Sequence, residues 1–292
     1  MFGKGEELLK LTEEHSCLIS DIVIMKELQT TNTTKEEIFE KSRKILKVME
    51  SSSSRGLKES VVSVSEMSGG DAKKVYDYAN SGKSLLNKNL VTAMARGFST
   101  SEVNASMGKI VAAPTAGAAG ILPAALYQAR EMIGCDEDAH IRGLLTAGGI
   151  GEIVARNATV AGAVGGCQAE CGSASAMAAA AIVEMSGGTP EMSLHAASFA
   201  FINIMGLVCD PIGGLVEYPC ALRNASGVMN AFVAADIALA GVKSLIPFDE
   251  VVEAMYKVGQ LMSPTLRETG LGGIAATPTA IELRKKHLNQ ED

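Results

Sequence analysis

Residues 158–185 read ATVAGAVGGCQAECGSASAMAAAAIVEM. This is the most apolar stretch of the chain, yet Gly and polar residues interrupt it. It therefore falls short of the roughly 20 apolar residues that a membrane span needs. It reads instead as a pair of buried core helices, apolar all round. Its side chains are mostly Ala and Gly, which let neighbouring helices approach closely.

The same character extends outward on both sides. Gly-rich turns punctuate the chain at 68–70, 81–82, 114–120, 148–151, 162–166, 187–188, 213–214 and 270–273. Between them, Ala-rich stretches of ordinary helix length predict helices over 120–133, 136–147, 173–185, 190–205, 221–240 and 248–262. Alternating strand patterns are scarce; 61–64 and 109–112 are the nearest candidates. No repeat recurs at a fixed period. The expected fold is all-α, with buried helices joined by tight Gly loops that can approach a ligand closely.

Upstream, residues 1–65 are polar and amphipathic. In 34–50, Ile38, Phe39, Ile45, Leu46 and Val48 fall at helical spacing among Lys and Glu. Thr33 or Thr34 can cap this helix, and the Ser run 51–54 reads as its end or as a hinge. The expected organisation is an N-terminal helical segment, 1–65, offering a docking surface, followed by a catalytic domain, 66–292.

Composition narrows the function. Of the 292 residues, 47% are apolar but only 4% aromatic, with no Trp and 14 Met, a soft gap-filling residue. The net charge of −7 excludes the clustered basic surface that nucleic-acid binding needs. Residues 1–10 are charged and amphipathic, unlike a secretory leader. The expectation is a cytoplasmic protein without a membrane segment. Six Cys in such a compartment are packed thiols, metal ligands or reactive groups rather than disulfides.

Three of them sit at Gly or Pro turns: Cys167 in Gly165-Gly166-Cys167-Gln168, Cys209 in Cys209-Asp210-Pro211, and Cys220 after Pro219. Such turns aim a thiolate and place backbone N–H groups beside it. There is no Cys-x-x-Cys, so spacing alone favours three buried free cysteines over a ligand set. Cys171, four residues after Cys167, is either a packed thiol or a spare ligand. Cys17 and Cys135 lie in no motif.

The wider wording is more specific. Pro114-Thr115-Ala116-Gly117-Ala118-Ala119-Gly120, Asn157, Gly165 to Glu170, Cys209-Asp210-Pro211, Pro219-Cys220 with Arg223-Asn224, and Arg267-Glu268-Thr269 with Gly272-Gly273 occur in that order. This series resembles the iron–sulfur L-serine dehydratase family, in particular the α chain of its two-subunit form, most strongly over 104–276. The resemblance implies a [4Fe–4S] cluster on Cys167, Cys209 and Cys220, with one iron left open to L-serine. It implies no pyridoxal phosphate, a β chain as partner, and a homo- or hetero-oligomer. Fused members carry a Ser-rich loop with a His in their β portion; here Arg55 follows the Ser run, so the base is expected from the partner. Fused members also end in a Cys that reaches the open iron, whereas this sequence ends Asn289-Gln290-Glu291-Asp292.

Thr115 and Gly117 could offer donors to a carboxylate at the start of the next helix, or simply cap it. Asn104, Asn157 and Asn224 could bind substrate or cap helices. Arg223 and Arg267 suit a substrate carboxylate, or ion pairs with Glu170 or Glu268. None of His15, His140, His195 and His287 has a catalytic setting. The competing readings are a cysteine desulfidase on a similar cluster, a non-catalytic helical subunit, and a zinc site.

Overall fold

The computed structural model describes residues 1–288; the cysteine-free end, 289–292, lies outside the described residues. The chain runs through α1 (Gly5–His15), α2 (Ile19–Thr30), α3 (Lys35–Lys58), α4 (Asp71–Asn80), α5 (Lys88–Ala105), α6 (Ile121–Ile133) and α7 (Glu137–Asn157). It continues through the short α8 (Gly162–Gly165), a π-helical turn (Gln168–Gly172), α9 (Ser173–Met185) and α10 (Pro190–Ile204). Last come α11 (Cys220–Leu239), α12 (Phe248–Leu261) and α13 (Pro278–Leu288). The fold is all-α, without a strand among the described residues. No helix among them is long and apolar enough to cross a membrane.

α9 is the axis, and all of its residues are buried. α6, α7, α10 and α11 pack around it. Ala on α9 keeps this spacing short, and glycines on the surrounding helices complete it. A Cβ at Gly227 of α11 would overlap Ile121 and lie 3.1 Å from Ser175 Oγ.

Three local expectations are corrected. Residues 148–151 do not form a turn; α7 runs through them. Gly149 there faces Val23 of α2, where a Cβ would lie 2.7 Å from Cγ2. Packing against a neighbour has overridden the low helix propensity of Gly. Nor does the Ser run end α3, which continues to Lys58. The hydroxyls of Ser52 and Ser53 donate to the carbonyls of Met49 and Glu50, satisfying themselves within the helix. Residues 61–64 provide only an isolated bridge, Val62 to Gly69.

The first 65 residues share the core of the rest. Phe2, Leu8, Ile19, Ile22, Leu46 and Met49 belong to the same buried cluster as α9. Asp249 at the start of α12 accepts from the N–H groups of Gly5 and Glu6, at 2.7 and 3.0 Å. Arg142 of α7 pairs with Asp21 of α2 at 2.7 Å.

Candidate functional site

At the head of α9 the chain turns as α8, then a π-helical turn, then α9 without a break. A π turn adds a residue to the helical register, a distortion common at functional sites. Here it brings Cys167 Sγ to 3.2 Å from Cys171 Sγ and turns Glu170 to the same side. Gly166 has φ 75°, which L side chains rarely adopt, and a Cβ there would meet Met262 Sδ at 2.5 Å. Gln168, fully buried, fastens the turn. Its amide donates to the carbonyls of Gly165 and Met255, both at 2.9 Å, and accepts from Gly206 N–H at 2.8 Å.

Two further segments close on this turn. The loop after α10 brings Cys209, which donates its N–H to Leu266 O and accepts from Glu268 N–H at 2.6 Å. Glu268 takes φ 63°, unusual for a non-glycine residue, and that bond holds it beside Cys209. Cys220 is the first residue of α11, where the helix dipole favours a thiolate. Cys167, Cys209 and Cys220 are all buried, and none forms a disulfide.

Glu170 lies among them, 7% exposed. Its Oε1 accepts from Thr115 Oγ1 at 2.7 Å, and its Oε2 is 3.8 Å from Cys209 Sγ. Ligand atoms of Glu170, Cys209 and Glu268 lie within 4.8 Å of one another. Gly162 leaves this space open: a Cβ there would lie 2.7 Å from Glu170 Oε2 and 2.9 Å from Cys209 Sγ.

The expected residues separate into two groups. Thr115 and Gly117 lie against Glu170, and Asn224 joins Gly117 to Cys220. Asn224 is buried; its Oδ1 accepts from Gly120 N–H at 2.8 Å, and its amide donates to Gly117 O at 2.7 Å and Cys220 O at 2.8 Å. It thus binds the 114–120 loop to the Cys220 helix. Asn157 is placed elsewhere, donating to Gly3 O and Ile153 O at the end of α7. Asn104 is half-buried near the end of α5, with no hydrogen bond to the thiol group among the described residues.

The arginines also differ from expectation. Arg223 pairs with Asp210 at 2.7 Å and donates to Val208 O, while Arg267 donates to Val164 O. Neither pairs with Glu170. The sequence named Glu170 only as an ion-pair partner. Its signal was available: it is the one charged residue between Asn157 and Glu184. A lone carboxylate in so apolar a run has to answer to something other than solvent. The histidines stay outside the group. His140 is buried against Tyr127, His195 accepts from Ser244 N–H, and His287 is bonded to Ser65 O.

The electrostatics are those of crowded, dry thiols. The neighbouring Cys171 and Cys209 thiols and, after them, the Arg223 charge hold Cys167 well below the usual thiol range against its burial. Hydrogen bonding to Cys167, then burial, then the Cys167 charge drive Cys171 and Cys209 upward. Burial, then the Cys167 charge, pushes Cys220 up to about 12. Burial first, and the Cys167 charge next, lifts Glu170 to about 7 against the Thr115 bond. A charge on one thiol thus disfavours charge on its neighbours. Added positive charge relieves such crowding, and a soft, thiolate-seeking metal group brings it. The chemistry of this donor set, buried thiols beside a carboxyl, fits such a group.

Comparison with known proteins agrees over nearly all the chain. Residues 14–275 match the family model described as serine dehydratase alpha chain. The chain is 55% identical over 292 residues to the L-serine dehydratase alpha chain of Peptoniphilus asaccharolyticus, covering 100% of both. It is 38% identical over 283 residues to the L-serine dehydratase of Streptomyces coelicolor, covering 94% of this chain and 60% of that one. To the L-serine dehydratase of Helicobacter pylori it is 34% identical over 283 residues, covering 94% of this chain and 62% of that one.

Proposed function

The chain belongs to the serine dehydratase alpha chain family, and from that premise we propose that it is the α chain of a two-chain L-serine dehydratase. The reaction releases pyruvate and ammonia from L-serine. Cys167, Cys209 and Cys220 would hold a [4Fe–4S] cluster. When bound, it supplies a Lewis-acidic iron that helps the substrate hydroxyl depart. Hydroxide is otherwise a poor leaving group.

The chain's own residues provide the surroundings. Burial of the thiols keeps water away from the site. Thr115 fixes Glu170 so that one carboxylate oxygen faces Cys209. Gly162 and Gly117 keep room for a small ligand against that oxygen. Asn224 holds the Thr115 loop and the Cys220 helix in one arrangement. The longer relatives extend beyond the part that this chain covers, and a separate β chain would supply the base for the α-proton.

The observation that carries this reading is the grouping of Glu170, Cys209 and Glu268, with ligand atoms within 4.8 Å of one another, in a site to which the chain also brings the buried, unbridged thiols of Cys167 and Cys220. The test is anaerobic purification followed by a visible spectrum and metal analysis, beside the triple Cys167/Cys209/Cys220→Ser variant. Brown absorption with about four irons per chain, lost in the variant, is expected. Turnover should then follow addition of the β chain, with L-serine preferred over L-cysteine. A protein that stays colourless and iron-free after reconstitution, or that binds zinc instead, refutes the proposal.

A further inference from the structure

Away from the thiols, a second polar site lies where α4, α5 and the segment before Cys220 meet. Ser68, Gly69, Asp71, Ser101, Glu102, Ala105, Glu217 and Ala221 enclose a cavity of about 10 Å3, the size of one water or one ion. Two acidic residues line it, and both are buried: Glu102 is 4% exposed and Glu217 is 6% exposed. Glu102 Oε1 accepts from the N–H groups of Asp71 and Ala72, at 2.6 and 3.0 Å. That leaves Oε2 buried without a hydrogen-bond partner. Glu217 Oε2 accepts from Ser65 Oγ and Ser68 Oγ, each at 2.9 Å.

A buried carboxylate oxygen without a donor, as Glu102 Oε2 is, needs compensation. The N-terminus of α4 supplies part of it, through Oε1 of Glu102 only. Lys74, the cation that Glu102 feels, is paired with Asp71 at 2.8 Å. Burial lifts Glu102 to about 7 in spite of its two backbone donors. Carboxylate and hydroxyl oxygens are the ligands of hard cations, and no sulfur or imidazole faces the cavity.

We propose that this cavity binds a hard metal cation through Glu102 Oε2 and the Glu217 carboxylate. Ala221 lines the cavity and directly follows Cys220, and Glu217 lies three residues before it. The ion would therefore tie α4, α5 and the 63–68 loop to the segment that presents Cys220, without touching the thiols.

Thermal unfolding of the full chain tests this at constant ionic strength in K+, Na+, Mg2+ or Ca2+, against choline, which is too large to enter. One cation class is expected to raise Tm by about 5 °C, as saturation at 100 times Kd implies. Glu102→Gln keeps an oxygen for the two α4 N–H groups and removes the charge, and should abolish that rise. If Glu102→Gln does not fold, Glu217→Gln reads the same effect. Equal Tm in all five salts, or a rise that survives in the folded variant, overturns the proposal. The readout needs no cluster and no turnover, so its failure is separate from failure of the serine dehydratase reading.

Discussion

Asn224 shows how one side chain sets the geometry of a site that it does not complete. It bonds a loop carbonyl, a loop N–H and its own helix carbonyl, all out of contact with water. Asn224→Ala would leave Gly120 N–H and Gly117 O unpaired and buried. Each such group costs about 1–3 kcal/mol, so denaturant unfolding should show a loss of about 3 kcal/mol or more. An effect below 1 kcal/mol would mean that the loop is held by other contacts. His140 gives a pH dependence at the same scale. It is 1% exposed, and burial, then the Arg130 charge, lowers it from 6.5 to about 4. The unfolded chain therefore binds this proton at a higher pH than the folded one. The His140 contribution is intact above pH 6.5 and is lost as pH falls from 6.5 toward 4, amounting to about 3 kcal/mol. His140→Phe keeps a ring on Tyr127 and should remove this loss, raising stability at pH 5 relative to pH 7.5 in comparison with wild type. An unchanged acid-side slope would count against this origin.

At the scale of elements, the Cys167 turn depends on a helix distant in sequence. Gly259 of α12 packs on α8, and a Cβ there would lie 2.7 Å from Gly165 Cα and 3.0 Å from Gly165 O. Backbone cannot move aside as a side-chain tip can. Gly259→Ala should push α8 and Cys167 outward, at about 1–3 kcal/mol, and lower iron retention under anaerobic dialysis. Wild-type stability and iron content in this variant would show that the interface relaxes freely. The same element explains what could be read in advance. The helix over 173–185 was legible because its Ala run is bounded by Gly and is apolar on every face. The helical character of Gly149 and Gly151 was not, because it depends on Val23 and Met177 across an interface. The three thiols stood out through their motif wording, not their spacing. Glu170 did not, since its partner Thr115 lies 55 residues away.

At the scale of the molecule, the polar N-terminal helices pose the remaining question. Their composition suggests a segment laid on the surface for a partner, and their exposed faces remain available for one. Their inner faces enter the common core: Leu8 is 0% exposed, Phe2 is 1% exposed, and Asp249 holds the start of α1. If α1 is part of one cooperative unit, damage to its inner face must destabilise everything. Leu8→Ala should then lower the stability of the single unfolding transition by about 2–5 kcal/mol, with α9 and the thiol turn unfolding together with α1. If α1 is instead a separately melting arm, Leu8→Ala would produce an early, small transition and leave the main one unmoved. Calorimetry beside hydrogen exchange at α9 distinguishes the two. Substitution on the outer face, such as Glu14→Ala, where Lys10 and Glu14 are both solvent-exposed, should leave stability within about 0.5 kcal/mol of wild type. A partner that docks on these helices must therefore read their outer residues, because the inner ones are already committed to the core around α9.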